Sequence, residues 1–260
     1  MSEHDIAKGV RVRTYVPDGD GPHPLLVYFH GGGFILGNLD MHDLTCRFLA
    51  REAGASVVNV DYRLAPEHRF PAALDDCFAA VEWAEAHAEE LCADTGRLVV
   101  MGSSAGGNLA ASVAIKARDA GRPKIALQVL VNPLLDSAMR GKSLETYAHG
   151  HFLERAQVRF FWDQYIGDAP KDDPLLSPAH AESLAGLPRA IVLTSELDPL
   201  RDEGELYANR LASAGCRVQR FRVPGQLHGF LGMIDAFSDA RVWLTRLADL
   251  MVTELDRPSQ

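Results

Sequence analysis

Short runs of apolar, often β-branched residues alternate along the chain with longer stretches of helical periodicity. Several of the short runs lack a two-residue alternation of polar and apolar positions, which is typical of strands covered on both faces. The runs predict strands at 10–16, 25–30, 56–61, 97–102, 127–132, 190–194 and 218–223. The longer stretches predict helices at about 41–53, 71–91, 105–119, 155–166, 203–214 and 239–254. This alternation predicts an α/β fold with a mostly parallel sheet flanked by helices, in one domain spanning residues 1–260.

The segment from about residue 137 to residue 177 breaks this alternation. Its aromatic residues are Tyr147, Phe152, Phe160, Phe161, Trp162 and Tyr165. We expect a partly helical, cap-like insertion over the ligand-binding end of the sheet; the alternative is one extra helix packed on the core. The first eight residues or so and residues 256–260 are expected to be loose ends.

A candidate nucleophile lies where a predicted strand meets a predicted helix. Residues 102–106 read GSSAG and fit the pattern G-x-S-x-G. Small flanking residues allow a turn sharp enough to push Ser104 out of the sheet, at the N-terminus of the following helix. The alternative is a glycine-rich turn that serves packing alone, but the strand–turn–helix setting favours Ser104 as a nucleophile.

A serine hydroxyl needs a base, and the base needs an orienting group. His228 lies in a loop just after the last predicted strand, at the sheet edge where open α/β folds bind ligands. Asp198 follows the preceding strand at the same edge, and the order Ser, Asp, His is that of an α/β hydrolase. Two other carboxylates lie nearby: we interpret Asp202 as the N-cap of the next helix and Glu196 as a polar residue at the strand exit.

Candidate oxyanion donors follow the second predicted strand, where residues 30–34 read HGGGF. Consecutive glycines leave backbone N–H groups unobstructed, so Gly32 and Gly33 can donate to a tetrahedral oxyanion together with Ala105, the residue after the nucleophile. We interpret His30 as a structural residue that holds this loop rather than as a second base.

These motifs resemble those of the bacterial hormone-sensitive-lipase-like esterases, a branch of the α/β hydrolases. The resemblance rests on HGGGF at 30–34, DYRLAPEHRFPAALDD at 61–76, GSSAGGNLA at 102–110, DPLRDEG at 198–204 and HGF at 228–230. The motifs occur in the family's order, and the similarity runs from about residue 10 to about residue 250.

The resemblance implies a serine carboxylesterase that hydrolyses short- to medium-chain esters through an acyl-enzyme intermediate. It implies Ser104 as nucleophile, His228 as general base and acid, and Asp198 as its orienting group. It implies no metal and no organic cofactor, a cytoplasmic location and, because many family members dimerise, a homodimer. Arg63 and Glu67 would tie loops together.

Two departures from the family pattern stand out. The family usually has Asp before the nucleophile, where this chain has Ser103, so the geometry of the oxyanion loop or the activity is expected to change without loss of the chemistry. Family members also carry a helical cap before the first strand, whereas the first predicted strand here begins near residue 10. We therefore expect a reduced cap, an open site, and activity on small or bulky esters.

Candidate pocket walls are Phe34, Phe152, Leu200 and Phe230; the alternative for each is a place in the core. Other functions remain open at this stage. An amide or formamide hydrolase would use the same triad. A non-catalytic small-ligand binding protein shares the fold in plant gibberellin receptors, which lack the catalytic histidine; the presence of His228 argues against it.

Composition narrows the remaining classes. The chain has 35 acidic and 26 basic residues and a net charge of -9, which argues against nucleic acid as a partner. No stretch approaches the roughly 18 apolar residues of a membrane span, and the polar N-terminus shows no secretory signal. The four cysteines form no CxxC pair, so reduced thiols in a cytoplasmic protein are expected. The partner that the family resemblance implies is a small-molecule ester.

Overall fold

A computed structural model describes residues 1–6 and 9–257. Its described residues form one eight-stranded sheet in the order β1-β2-β4-β3-β5-β6-β7-β8. The strands are β1 (Ser2–Asp5), β2 (Arg11–Tyr15), β3 (His23–Phe29), β4 (Ser56–Asp61), β5 (Ala93–Ser103), β6 (Leu127–Val131), β7 (Arg189–Leu197) and β8 (Val218–Leu227). Strands β3 to β8 run parallel, and β1 and β2 are antiparallel to their neighbours. The predicted α/β fold is confirmed.

Helices cover both faces of this sheet. They are α1 (Asp43–Ala53), α2 (Ala72–Ala86), α3 (Ala105–Ala120), α4 (Ser143–Thr146), α5 (Arg155–Tyr165), α6 (Arg201–Ser213) and α7 (Ser238–Leu255). Because successive strand residues face opposite sides, Leu25 and Val27 pack with α2, α3 and α6 while Leu26 and Tyr28 pack with α1 and α7. Among the described helices, none is long and apolar enough to cross a bilayer.

The N-terminal segment differs from the expected loose end. Ser2–Asp5 forms an edge strand that pairs antiparallel with β2, from Ser2 opposite Thr14 to Asp5 opposite Arg11. The polar residues of this strand carry no apolar pattern, and pairing with β2 together with the ion pair between Glu3 and Arg13 holds it in place. The predicted loose ends at residues 7–8 and 258–260 lie outside the described residues.

The segment 137–177 follows β6 and contains α4 and α5. The short helix α4 has no counterpart in the predicted elements. One face of α5 is core: Trp162 and Tyr165 are buried, and the Tyr165 ring stacks on Phe34 at a centroid distance of 3.7 Å. The segment also carries Phe152 and Phe161 to the wall of a cavity. The segment therefore contributes some residues to the core and others to the wall of the cavity.

Candidate active site

Ser104 occupies a strained turn between β5 and α3. Its backbone has φ 57° and ψ −119°, a conformation that L-residues rarely adopt. A Cβ on Gly102 would lie 2.0 Å from the carbonyl oxygen of Gly106, and a Cβ on Gly106 would lie 2.0 Å from that of Phe29. Only glycine fits at both positions, so the small residues of the motif allow the turn that presents the Ser104 hydroxyl.

The three predicted catalytic side chains form one hydrogen-bonded line. His228 Nε2 lies 2.9 Å from Ser104 Oγ, and His228 Nδ1 lies 2.8 Å from Asp198 Oδ2. A carboxylate only accepts hydrogen bonds, so it fixes the proton on Nδ1 and leaves Nε2 free to accept the proton of Ser104.

Strand register explains why residues so distant in sequence meet. Leu197 of β7 pairs with Leu227 of β8, so Asp198 and His228 are the next residues at the same edge of the sheet. On the other side, Ser103 of β5 pairs with Val131 of β6, which places Ser104 at this edge as well. The carboxyl ends of the parallel strands thus bring together the three side chains.

Asn132 also belongs to this arrangement, although the sequence motifs do not mark it. It follows β6 with φ 42°, and its Nδ2 donates to Asp198 Oδ2 at 2.7 Å and to Ser195 Oγ at 2.8 Å. The backbone N–H of Leu200 donates to the other Asp198 oxygen at 2.8 Å. Asp198 is fully buried, and these neutral donors satisfy both of its side-chain oxygens. A polar residue directly after a buried strand at the active edge is the signal that could have identified Asn132.

The two competing carboxylates lie elsewhere. Glu196 accepts the backbone N–H of Gly225 at 2.7 Å, at the exit of β7 as predicted. Asp202 is not the N-cap of α6, because that helix begins at Arg201 with Leu200 as its N-cap. The acceptor for the Leu200 N–H is Asp198 itself, so the turn starts earlier than expected. Asp202 instead accepts the Ser143 N–H at 2.9 Å.

Glu203 is a further buried acid beneath the triad. Its Oε1 accepts the backbone N–H groups of Leu135 and Asp136. Its Oε2 is buried and has no partner among the described residues. Burial raises the pKa of Glu203 well above its usual range, and the negative charge of Asp136 raises it further. The protonated form is therefore the one that this position favours.

The glycine loop lies beside the Ser104 hydroxyl. Gly32 has φ 122° and Gly33 has φ 61°; a Cβ would lie 2.1 Å from Leu36 O at the first position and 2.4 Å from the Phe161 ring at the second. Both residues line the same cavity as Ser104, and their N–H groups have no acceptor in the described part of the chain. Ala105 is the first residue of α3, where a backbone N–H has no intrahelical partner. The predicted oxyanion donors thus lie in the loop and at the helix terminus next to the candidate nucleophile.

His30 holds this loop in place and is not a second base. Its Nδ1 lies 2.8 Å from the carbonyl oxygen of Gly31, and its ring stacks on Tyr62 at 4.1 Å. The Tyr62 hydroxyl donates to the His30 carbonyl at 2.8 Å. Burial lowers the pKa of His30 to about 4, so the ring is neutral at neutral pH. These contacts match the structural role predicted for His30.

The triad opens into a cavity of about 420 Å³. Of the four candidate pocket walls, Phe152 lines it and is 63% exposed at the mouth. Phe34, Leu200 and Phe230 do not line it, because each is buried in the core: Phe34 against Tyr165, Leu200 in the cluster below α6, and Phe230 in the cluster between the sheet and α7. Those three predictions were wrong.

The apolar walls come from other residues that sequence reasoning missed. They are Leu36, Met41, Met101, Val131, Leu153, Phe161, Leu231, Met233 and Leu244. Several stand next to predicted elements, such as Leu36 after the glycine loop and Leu231 after the His228 motif. Whether an apolar side chain faces the cavity or the core depends on contacts between distant segments, which a local pattern does not record.

Arg63 ties two segments together as the resemblance implies. Its Nε and Nη2 atoms lie 2.8 and 2.7 Å from the two carboxylate oxygens of Asp76. Glu67 is exposed and makes no ion pair within the described residues.

Within residues 1–6 and 9–257, no three His, Cys, Asp or Glu side chains converge as a metal site requires, and all four cysteines are free.

Comparisons with known proteins agree with this geometry. A family model described as the alpha/beta hydrolase fold matches residues 26–232. The chain is 42% identical over 255 residues to the carboxylic ester hydrolase LipN of Mycobacterium tuberculosis. This match covers 95% of this chain and 68% of that protein. The chain is also 44% identical over 224 residues to an arylesterase of Saccharolobus solfataricus, in a match that covers 85% of this chain and 72% of that protein.

A solved structure shows the same fold. The crystal structure of a thermostable esterase from Pseudomonas putida ECU1011 superposes with a TM-score of 0.94 at 35% identity, covering 99% of this chain and 83% of that chain. The prediction of an α/β hydrolase related to the bacterial hormone-sensitive-lipase-like esterases is confirmed. The chain belongs to the α/β hydrolase family.

Proposed function

We propose that this chain hydrolyses short- to medium-chain carboxylic esters through an acyl-enzyme formed on Ser104. The observation that carries the proposal is the line of hydrogen bonds from Ser104 through His228 to Asp198, beside N–H groups of the glycine loop that have no acceptor among the described residues. Relatives that are named carboxylic ester hydrolase and arylesterase support an ester as the substrate. The cytoplasmic location and the homodimer remain predictions.

The acylation step follows from these positions. His228 Nε2 removes the proton of Ser104 as Oγ attacks the ester carbonyl carbon. The carbonyl oxygen becomes an oxyanion, which the N–H groups of Gly32, Gly33 and Ala105 stabilise. When the intermediate collapses, the bond to the alkoxy oxygen breaks and His228 gives its proton to the leaving alcohol.

Deacylation repeats these steps with water. His228 removes a proton from water as its oxygen attacks the acyl carbon, and the same N–H groups hold the second oxyanion. The bond to Ser104 Oγ then breaks, and Oγ takes the proton back from His228. Asp198 keeps the imidazole in the reactive tautomer in both steps, and Asn132 keeps Asp198 in place.

The cavity favours small and medium substrates. Its volume of about 420 Å³ lies at the small end of the range for small-molecule sites. Leu36 and Met41 at its mouth are more than half exposed, so the outer wall offers little enclosed surface to a long chain. A p-nitrophenyl ester series from acetate to palmitate tests this: activity should be highest for the short and medium esters, and an optimum at palmitate would contradict it.

Replacement of the nucleophile is the decisive experiment. Ser104→Ala should reduce hydrolysis of p-nitrophenyl acetate by about 10⁴–10⁶-fold, as triad deletions do in other serine hydrolases. Ser112→Ala is the matched control, since Ser112 is a buried serine on the adjoining helix α3 that contacts Asn108. A fluorophosphonate should label the wild type and the control only.

An equal rate for Ser104→Ala and the wild type would refute the proposed nucleophile. The same assay with p-nitroacetanilide and p-nitroformanilide distinguishes an esterase from an amide or formamide hydrolase. Faster turnover of the amide or formamide than of the matching ester would assign the triad to an amidase instead. Labelling without turnover of any substrate would indicate a binding protein that retains a reactive serine.

A further inference from the structure

The cavity lining carries polar side chains among buried apolar ones such as Met101 and Leu244. Tyr28, His42 and Thr45 line the cavity together with Ser103. Tyr28 and Thr45 are buried, whereas the apolar residues at the mouth are largely exposed. These polar side chains come from β3, the turn before α1, α1 itself and the end of β5. We refer to Tyr28, His42, Thr45 and Ser103 together as the polar wall.

Strand register places this wall beside the nucleophile. Tyr28 of β3 pairs with Met101 of β5, and Ser103 lies two residues further along β5, on the same face. Ser103 is the residue before Ser104, so the two Cα atoms are about 3.8 Å apart. A group that contacts the Ser103 end of this wall therefore lies close to an ester carbonyl held at Ser104.

The wall has unused hydrogen-bonding capacity. The His42 Nδ1 atom lies 3.3 Å from the Tyr28 hydroxyl, a long contact. In the described part of the chain, the side-chain oxygens of Thr45 and Ser103 have no hydrogen-bond partner. Neither oxygen is sealed off from solvent, so a group bound in the cavity can contact both. The wall is thus suited to a bound group that both donates and accepts.

The wall is also uncharged at neutral pH. Burial, together with the neighbouring His30 ring, lowers the pKa of His42 to about 4. Burial raises the pKa of Tyr28, so its hydroxyl keeps its proton. The nearest acid on α1, Asp43, is paired with Arg13 at 3.1 Å and with Arg47 at 2.6 Å. A neutral polar group fits this environment better than an ion does.

We propose that Tyr28, His42, Thr45 and Ser103 form a subsite that binds a hydroxyl or carbonyl group a few bonds from the scissile ester. The proposal rests on the ester hydrolysis proposed above and deepens it by naming a substrate class: hydroxy- or oxo-substituted esters. His42 and Tyr28 set this preference, because they supply both a donor and an acceptor at the centre of the wall. The substituent belongs to either the acyl or the alcohol part of the ester.

Matched substrate pairs test the preference. The acyl arm compares p-nitrophenyl β-hydroxybutyrate with p-nitrophenyl butyrate, and the alcohol arm compares monobutyrin with propyl butyrate. The wild type should show a higher kcat/KM for the hydroxylated member of one pair. In His42→Phe and in Tyr28→Phe, that ratio should fall by about 2–10-fold, the effect of one neutral hydrogen bond.

Tyr15→Phe is the control variant. Tyr15 is a second buried tyrosine beside α1, where its hydroxyl contacts Asp43 at 2.7 Å, and it does not line the cavity. In Tyr15→Phe, the ratio of kcat/KM for the hydroxylated ester to that for its unsubstituted partner should equal the wild-type ratio. The subsite is refuted if the wild type prefers neither hydroxylated ester, or if the preference survives in both His42→Phe and Tyr28→Phe. Failure to hydrolyse any ester would refute the proposed function as well.

Discussion

Two cavities of similar volume lie at opposite ends of the same sheet. The one at the carboxyl ends of the strands, about 420 Å³, contains Ser104 and His228. The other, about 460 Å³, lies at the amino ends, between the C-terminus of α3 and the loops before β6 and β7. Its charged lining residues are Arg118 and Lys124, and neither a hydroxyl nor an imidazole lines it. Volume alone therefore does not distinguish a reactive site from a surface depression.

The difference between the two ends lies in how polar groups meet. At the carboxyl ends, strand register and a strained turn bring a hydroxyl, an imidazole and a carboxylate into one line. At the amino ends, Arg118 is held by backbone carbonyls of Ser183 and Ala185 and by Asp119. The first arrangement leaves polar groups available to a substrate. In the second, the charge of Arg118 is paired within the protein.

The largest effect expected in this comparison follows loss of the orienting carboxylate. Asp198→Asn should reduce kcat by about 10⁴-fold, because an amide can donate to Nδ1 and stabilise the unreactive tautomer of His228. Asp202→Asn removes a carboxylate four residues away that contacts Ser143, and should cost far less. Steady-state kinetics on p-nitrophenyl butyrate measures both; equal losses would show that Asp198 does not orient the base.

A smaller effect is expected at the oxyanion loop. Gly32→Ala places a Cβ 2.1 Å from the Leu36 carbonyl and must displace the loop N–H groups. Loss of one such donor typically reduces kcat by about 10²–10³-fold. Gly54→Ala is the control, since Gly54 also has a positive φ but nothing within 4 Å of the added Cβ. If the two variants retain the same kcat, Gly32 is not part of the oxyanion site.

Glu203, near the carboxyl ends of the strands, should also make the stability of the fold depend on pH. The pKa of Glu203 is raised in the fold, so the folded state binds more protons than the unfolded state above the usual glutamate range. Stability from this group is therefore complete below a pH of about 4.3 and falls by up to about 1.4 kcal/mol per pH unit as pH rises towards the folded pKa.

Glu203→Gln cannot titrate at this position, so the variant serves as the reference for the wild type. The free energy of unfolding of the wild type minus that of the variant should decrease between about pH 5 and about pH 7. Urea unfolding at several pH values measures this difference. A constant difference across that interval would show that Glu203 ionises normally in the folded protein.

The smallest effect is expected at the amino-end cavity. Ala117→Leu adds a side chain to this cavity and Lys124→Ala removes a charge from its rim. Neither residue approaches the triad, so kcat/KM per folded molecule should stay within about twofold of the wild type, as for most changes far from a site. A tenfold loss in a folded variant would show that the two ends of the sheet are coupled.

The sequence predicted the catalytic residues better than the walls around them. Ser104, Asp198 and His228 each sit in a local motif at a strand end, and sheet geometry then forces such ends together. Phe34 and Phe230 were misplaced because their neighbours, such as Tyr165, come from distant segments.

The missed strand β1 has a related cause. Its residues are polar and exposed, so only pairing with β2 defines it. Asn132 likewise has no motif of its own, and only the approach of β7 gives it Asp198 as a partner.

The attachment of α5 has a consequence for how substrates enter. Trp162 and Tyr165 anchor this helix in the core, and Phe161 from the same helix would collide with any side chain at position 33. The helix therefore supports the glycine loop, so a movement of α5 would also move the oxyanion donors. Substrate instead passes the exposed side chains at the mouth, such as Phe152, so that entry of substrate and the shape of the reaction centre can be altered independently.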